Sequence, residues 1–239
     1  MRPKRQRNTK SSSWLKRLLK WAAITFVLVS FLSALPMLYL RYQAPPTSNF
    51  IELNKRNQNT NIKHEWLDLE DISLYFPNAV IAAEDQQFPN HIGFDIKQIK
   101  LVLSERDKGY SRGASTITQQ TVKNLFLWPG RSFLRKGLEA WLVIWMELIL
   151  PKKRILEIYV NYAQFGKRVF GIGAASKHYF GINARDLNPE QSALIAAALP
   201  TPSRSNPAKP SPYLLERAAY IQDQMPRVGG RRMVRELDD

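Results

Sequence analysis

FLRKGLEAWLVIWMELIL, residues 133–150, reads as one long, strongly apolar helix that stops at Pro151. Its charge gathers near the start, at Arg135, Lys136 and Glu139. Glu139 is followed by Trp141, Leu142, Val143, Ile144, Trp145 and Met146, a setting in which a charge needs a reason. A salt bridge to Arg135, four residues earlier, is the plain reason. Glu147 has a similar claim and is assigned a structural role. Working outward, the pattern stays helical from about Asp71 to Gln224. Arg154 to Phe165 puts Ile155, Ile158, Tyr159 and Tyr162 in phase, and Gly166 ends it. Gly171 to Tyr179 and Pro189 to Leu199 read as short Ala-rich helices. A proline-rich stretch, Pro200 to Pro212, precedes a last helix near Tyr213–Gln224. Upstream, Ile96 to Arg106 carries Ile96, Ile99, Val102 and Leu103 on one face, with Asp95 as its cap. Thr116 is a good N-cap, and Gln119 completes a capping box. No β-hairpin signal is convincing. The fold class is mainly α, with a single core.

At the other end, Trp21 to Leu40 contains no charged side chain. At about 1.5 Å per residue it spans about 30 Å, the hydrocarbon thickness of a bilayer. Residues 1–20 carry eight Lys or Arg and no acid, a large part of the net charge of +15. That excess before the apolar run, with only Arg41 close after it, keeps the N-terminus cytoplasmic and puts the bulk of the chain across the membrane. A cleaved signal peptide is the rival reading. The run is too long for one and ends in a poor cleavage context, Met37-Leu38-Tyr39-Leu40. The expected organisation is a basic tail at 1–20, a transmembrane anchor at 21–40 and a linker at 41–70, of which the polar residues 50–70 lead loosely into the domain. A folded domain at 71–226 and a frayed tail at 227–239 complete it. The basic tail suits nucleic acid as well, but its place beside the anchor accounts for it better, and no nucleic-acid partner is expected. The chain has no cysteine, so disulfides, thiolate nucleophiles and cysteine-bound zinc are excluded.

The chemistry sits in the domain. Glu84 follows the small apolar run Ala79-Val80-Ile81-Ala82-Ala83. A carboxylate at the end of a packed helix is partly desolvated, which raises its pKa and favours a general base near neutral pH. Taken alone, Glu84-Asp85 also fits a solvated helix end, and His91 a structural hydrogen bonder. Helical spacing puts Thr116, Gln120 and Lys123 along one side of the next motif. The amides of Gln119, Gln120 and Asn124 suit sugar hydroxyls or phosphate oxygens, and Ser115 with the helix N-terminus adds anion-binding donors. A polar surface helix is the bland alternative. Arg131, Arg135 and Lys136 stand just ahead of Glu139, a density of cations that suits a departing diphosphate or anionic lipid headgroups. No P-loop or HExxH pattern occurs, and Gly171-Ile172-Gly173 lacks the third glycine of a dinucleotide fingerprint. The SxxK match, Ser13–Lys16, lies ahead of the anchor, and KTG is absent, so penicillin-type acyl transfer is not supported.

Each motif is weak alone, and the ordered set is not. EDxxFxxHxGxD at 84–95, GxSTITQQxxKN at 113–124, RKxxE at 135–139, RILExYxN at 154–161 and GIGAASKHYFG at 171–181 together resemble the motifs of the family 51 peptidoglycan glycosyltransferases. The resemblance covers roughly residues 70–200. Length and single anchor are similar to the monofunctional, biosynthetic peptidoglycan transglycosylases of that family, which lack a transpeptidase domain. Ala114 is a small departure, where a second glycine is common. The resemblance implies a lysozyme-like α-helical lobe with a smaller membrane-embedded jaw. It implies lipid II and the growing glycan chain as substrates, with Glu84 as general base. Ser115, Gln120, Lys123, Arg131 and Lys136 match positions that line the donor site. Glu139 matches a second essential carboxylate, at which a divalent cation, Mg or Mn, stays open; no other cofactor is required. It also implies the cell inner membrane as location, a periplasmic catalytic domain and cell-wall synthesis proteins as partners. A membrane-anchored muramidase and a non-catalytic lipid II-binding scaffold are the alternatives.

Overall fold

A computed structural model of the chain describes residues 10–58, 61–106, 115–130 and 132–237. Helix α1 (Lys10–Tyr42) contains the expected anchor and runs beyond it at both ends. Its stretch Trp14–Tyr42 is long and apolar enough to cross a membrane and is mostly unburied. Pro36 lies inside it without ending it. After a turn, α2 (Asn49–Gln58) and the short strand β1 (Lys63–His64) lead to α3 (Tyr75–Glu84). Then come α4 (Ile96–Arg106), α5 (Ile117–Phe126), α6 (Phe133–Ile149) and α7 (Lys152–Tyr162). Strands β2 (Gln164–Gly166) and β3 (Val169–Phe170) precede α8 (Ile172–Phe180), α9 (Pro189–Ala197), α10 (Pro212–Arg227) and α11 (Gly230–Arg235).

The start signals work as read. Thr116 Oγ1 accepts from Gln119 N at 3.2 Å, and Gln119 Oε1 accepts from Thr116 N at 3.0 Å. Asn188 and Gln191 build the same reciprocal cap on α9, with Pro189 as the first helical residue. Ser132 starts α6, and Leu150, ahead of Pro151, is already extended, so α6 ends there. The core is continuous, and α3 forms its centre: Phe76 through Ala82 are all buried.

The domain holds the anchor firmly. Met37 and Leu40 are buried. Trp141 on α6 donates to Ser33 Oγ at 2.9 Å and meets Phe26 edge to face at 5.7 Å. Arg41 donates to the last α6 carbonyl, Ile149 O, and Arg154 on α7 donates to Leu40 O at 2.8 Å. These two guanidinium groups satisfy carbonyls that helix ends leave open.

Four local expectations are corrected. Residues 50–70 do not lead loosely into the domain: Ser48 caps α2, Ile51 is buried, and β1 pairs in parallel with β3. A hairpin does exist, β2 with β3, in a sheet ordered β1-β3-β2. Its strands are too short to show an alternating pattern, and Phe165, Gly166, Val169 and Phe170 are all buried. The helix read as reaching Phe165 therefore ends at Tyr162, with Ala163 extended into the sheet. The tail does not fray from Arg227, since α11 buries Val234 and sets Arg231 over the Tyr75 ring at 4.7 Å.

Candidate active site

Glu84 is the last residue of α3, and two contacts join that helix end to α5. Asp85, next in the chain, accepts from Ile117 N at 2.9 Å and lies 2.9 Å from His91 Nε2. Its charge caps the open N–H groups of α5. Gly93 O accepts from Thr116 Oγ1 at 2.7 Å, which fixes the same terminus from the other side. His91 and Asp95 are structural, the latter capping α4 at Gln98 N.

With α5 so placed, Gln120 Nε2 donates to Glu84 Oε2 at 3.0 Å. The amide is oriented from behind, because Tyr159 OH on α7 donates to Gln120 Oε1 at 3.1 Å. Burial drives the Tyr159 phenol well above its ordinary pKa, with the charges of Glu84 and Asp85 adding, so it remains a donor. On the other flank Arg217 of α10 approaches Glu84 Oε1 at 3.4 Å. Burial raises the Glu84 pKa, against the opposing pull of Gln120, Arg217 and Lys123. The result is a carboxylate that holds a proton more readily than an exposed one, the direction in which a general base is tuned.

Beside this pair lies a cavity of about 500 Å³, lined by Ser115, Gln120, Lys123, Arg135, Lys136 and Glu139, with Phe50 and Trp128 among its further walls. Gln120 belongs to both, contacting Glu84 and facing the cavity. Glu139 is only 3% exposed, and its two oxygens are taken by Arg135 at 3.0 Å and by Lys136. Arg135 is nearly buried and its Nε has no partner among the described residues, whereas Lys136 is half exposed. Burial lowers the Lys123 pKa, and Glu139 is the largest influence opposing it. The arrangement offers several cations around one buried carboxylate. That suits a group whose negative charge grows as it leaves.

The sequence candidates Gln120, Ser115, Lys123, Lys136 and Glu139 thus share one cavity, with Glu84 reached through Gln120. Arg131, with Gly113 and Ala114, lies outside the described residues. Gln119 also lines the cavity, with its Oε1 engaged in the α5 cap, and Glu147 is structural, held by Thr118 and by Lys152 at 2.8 Å. A divalent cation at Glu139 does not fit this donor set. Both oxygens already serve cations, and no cluster of three His, Cys, Asp or Glu that could hold a metal occurs among the described residues.

A family model described as Transglycosylase matches residues 52–226, most of the chain. The chain belongs to the transglycosylase family. Its relatives include a biosynthetic peptidoglycan transglycosylase of Xylella fastidiosa (strain 9a5c), 44% identical over 224 residues, 91% of this chain and 90% of that one. One from Marinomonas sp. (strain MWYL1) is 46% identical over 207 residues, 86% and 87% of the two chains. Another, from Shewanella oneidensis, is 45% identical over 219 residues, 90% and 94%. The chain is therefore an enzyme of glycosyl transfer.

Two residues of this transglycosylase site escaped the sequence reading. Tyr159 was visible only as an in-phase core position, though it sits inside RILExYxN. Arg217 carried no signal, because α10 meets α3 only through the tertiary fold. The rest of RILExYxN is scaffold. Glu157 accepts from Leu69 N at 2.8 Å, and Asn161 binds Leu67 at both N and O, at 2.9 and 2.8 Å.

Proposed function

We propose that this transglycosylase polymerises lipid II, a disaccharide-pentapeptide on undecaprenyl diphosphate, into β-1,4-linked glycan strands of peptidoglycan. Glu84 takes the proton of the acceptor 4-hydroxyl, whose oxygen bonds to the anomeric carbon of the growing chain. The bond from that carbon to the diphosphate breaks, undecaprenyl diphosphate departs, and the α-linked donor is inverted to β. Lys123, Arg131 and Lys136 bind the diphosphate, Ser115 and Gln120 hold the donor, and Glu139 fixes Arg135 and Lys136 toward the leaving group.

The observation that carries this reading is the shared position of Gln120. It ties a desolvated carboxylate to a cavity lined by cations, which supports a base acting beside a leaving-group site. The membrane geometry adds support. The uncharged run Trp21–Leu40 includes Phe26 and Ser33, the residues that touch α6. The same α6 exposes Phe133 (99%) and Leu134 (72%) and lends Lys136 and Glu139 to the cavity. A site at that depth favours a substrate carried on a lipid over a soluble polymer, and so favours transfer over muramidase hydrolysis. The names of the relatives point the same way. The setting that fits is the bacterial inner membrane, with Lys16, Arg17 and Lys20 on the cytoplasmic side and the catalytic domain periplasmic.

Purified protein given lipid II in detergent is expected to form polymer resolvable on a gel. Glu84→Gln, similar in shape, is expected to lose about 10²–10⁴ in rate, the usual worth of a general base. Equal polymer from both would remove Glu84 as the base. No polymer from either, with lipid II still bound, would point to a scaffold, and shortening of pre-made glycan to a muramidase.

A further inference from the structure

Part of the cavity wall comes from outside the motifs, and one such residue reaches it from well upstream in the chain. Phe50 comes from α2, just ahead of the residues the family model matches, yet it lines the cavity with Lys123 and Glu139. Its place is built. Ser48 is buried and its Oγ accepts from Ile51 N at 3.2 Å, capping α2. Ile51, next to Phe50, is buried in the core, and Asn49 Nδ2 donates to Leu127 O at 2.9 Å, just beyond the end of α5. So α2 is fastened to the helix that carries Lys123. The Lys123 ammonium lies 5.8 Å from the centre of the Phe50 ring and over its face. No carboxylate among the described residues pairs with it directly. The charged groups that act on it are Glu139, Arg135 and Lys136 on α6 and Glu84 on α3. A half-buried ammonium without a direct anion is helped by the negative face of an aromatic ring.

We propose that Phe50 is a positioning residue of the reaction, holding the Lys123 ammonium charged and aimed into the donor cavity. The inference rests on the reading of Lys123 as a diphosphate-binding cation. It makes the segment between anchor and domain part of the site, so this segment is more than a tether.

The signature is in the pH dependence. A ring face favours the charged form of Lys123, so losing it lowers the pKa, and the cation is lost at lower pH. Phe50→Leu keeps bulk and dryness but removes the ring quadrupole. Ala would admit water and mask the effect. With lipid II as substrate, the alkaline limb of kcat/KM for Phe50→Leu should move down by roughly half to one pH unit. Phe50→Trp should restore it. Independently of turnover, acetic anhydride labelling of the full chain across pH, read at Lys123 by mass spectrometry, should show the same downward shift. That readout stands even if the wild type forms no polymer, which would sink the function and not this contact. Thermal unfolding checks that both variants fold. A limb and a labelling midpoint unchanged in Phe50→Leu, or a Trp variant indistinguishable from the Leu one, would overturn the proposal and leave Phe50 as filler.

Discussion

At the scale of single residues, the candidate base is governed by what surrounds it. Glu84 is raised by burial and pulled down by Gln120 and by the charges of Arg217 and Lys123, with Asp85 pushing the other way. Arg217→Ala removes one downward pull, so Glu84 should hold its proton to higher pH. The acid limb of the pH–rate profile is expected to move upward, with the plateau at higher pH less affected. An unmoved limb would show that the 3.4 Å approach of Arg217 has no bearing on the base. Glu84 and Gln120 were legible in sequence because each sits in a motif with a chemical purpose. Arg217 was not, since nothing in Glu216-Arg217-Ala218 separates it from an ordinary solvated helix cation.

At the scale of elements, one glycine sets the meeting of α5 and α6. Gly93 has φ +76°, and a Cβ there would lie 2.4 Å from Val143 Cγ1 and 3.0 Å from Glu147 Cγ on α6. Its carbonyl also holds Thr116. Gly93→Ala therefore combines left-handed strain with overpacking and should cost about 2 kcal/mol or more, seen as a lower denaturant midpoint. Activity should fall with it, because a displaced Thr116 moves the α5 terminus that carries Gln120. Most of the helices were readable from caps and periodicity, since those signals are local. The short strands were not. Strands of two or three residues are too short to carry an alternation, and only the pairing of Lys63 with Val169 and of Gln164 with Phe170 reveals them.

At the scale of the whole molecule, anchor and domain are one packed object. Trp141→Phe keeps a ring near Phe26 but removes the donor to Ser33. A loss of about 1 kcal/mol is expected, read as a Tm lower by about 2–4 °C in detergent. No change in Tm would mean that the Trp141–Ser33 hydrogen bond contributes nothing to stability. The sequence by itself determined the apolar span, the helical class and the motif residues, because length, hydropathy and 3.6-residue periodicity are properties of the chain alone. Only the tertiary structure decided that Gln120 links Glu84 to the cavity, that Tyr159 orients Gln120 while Arg217 approaches Glu84, and that α2 brings Phe50 to Lys123. Those contacts join residues separated by up to 133 positions, and no local rule fixes which distant helices will share a face.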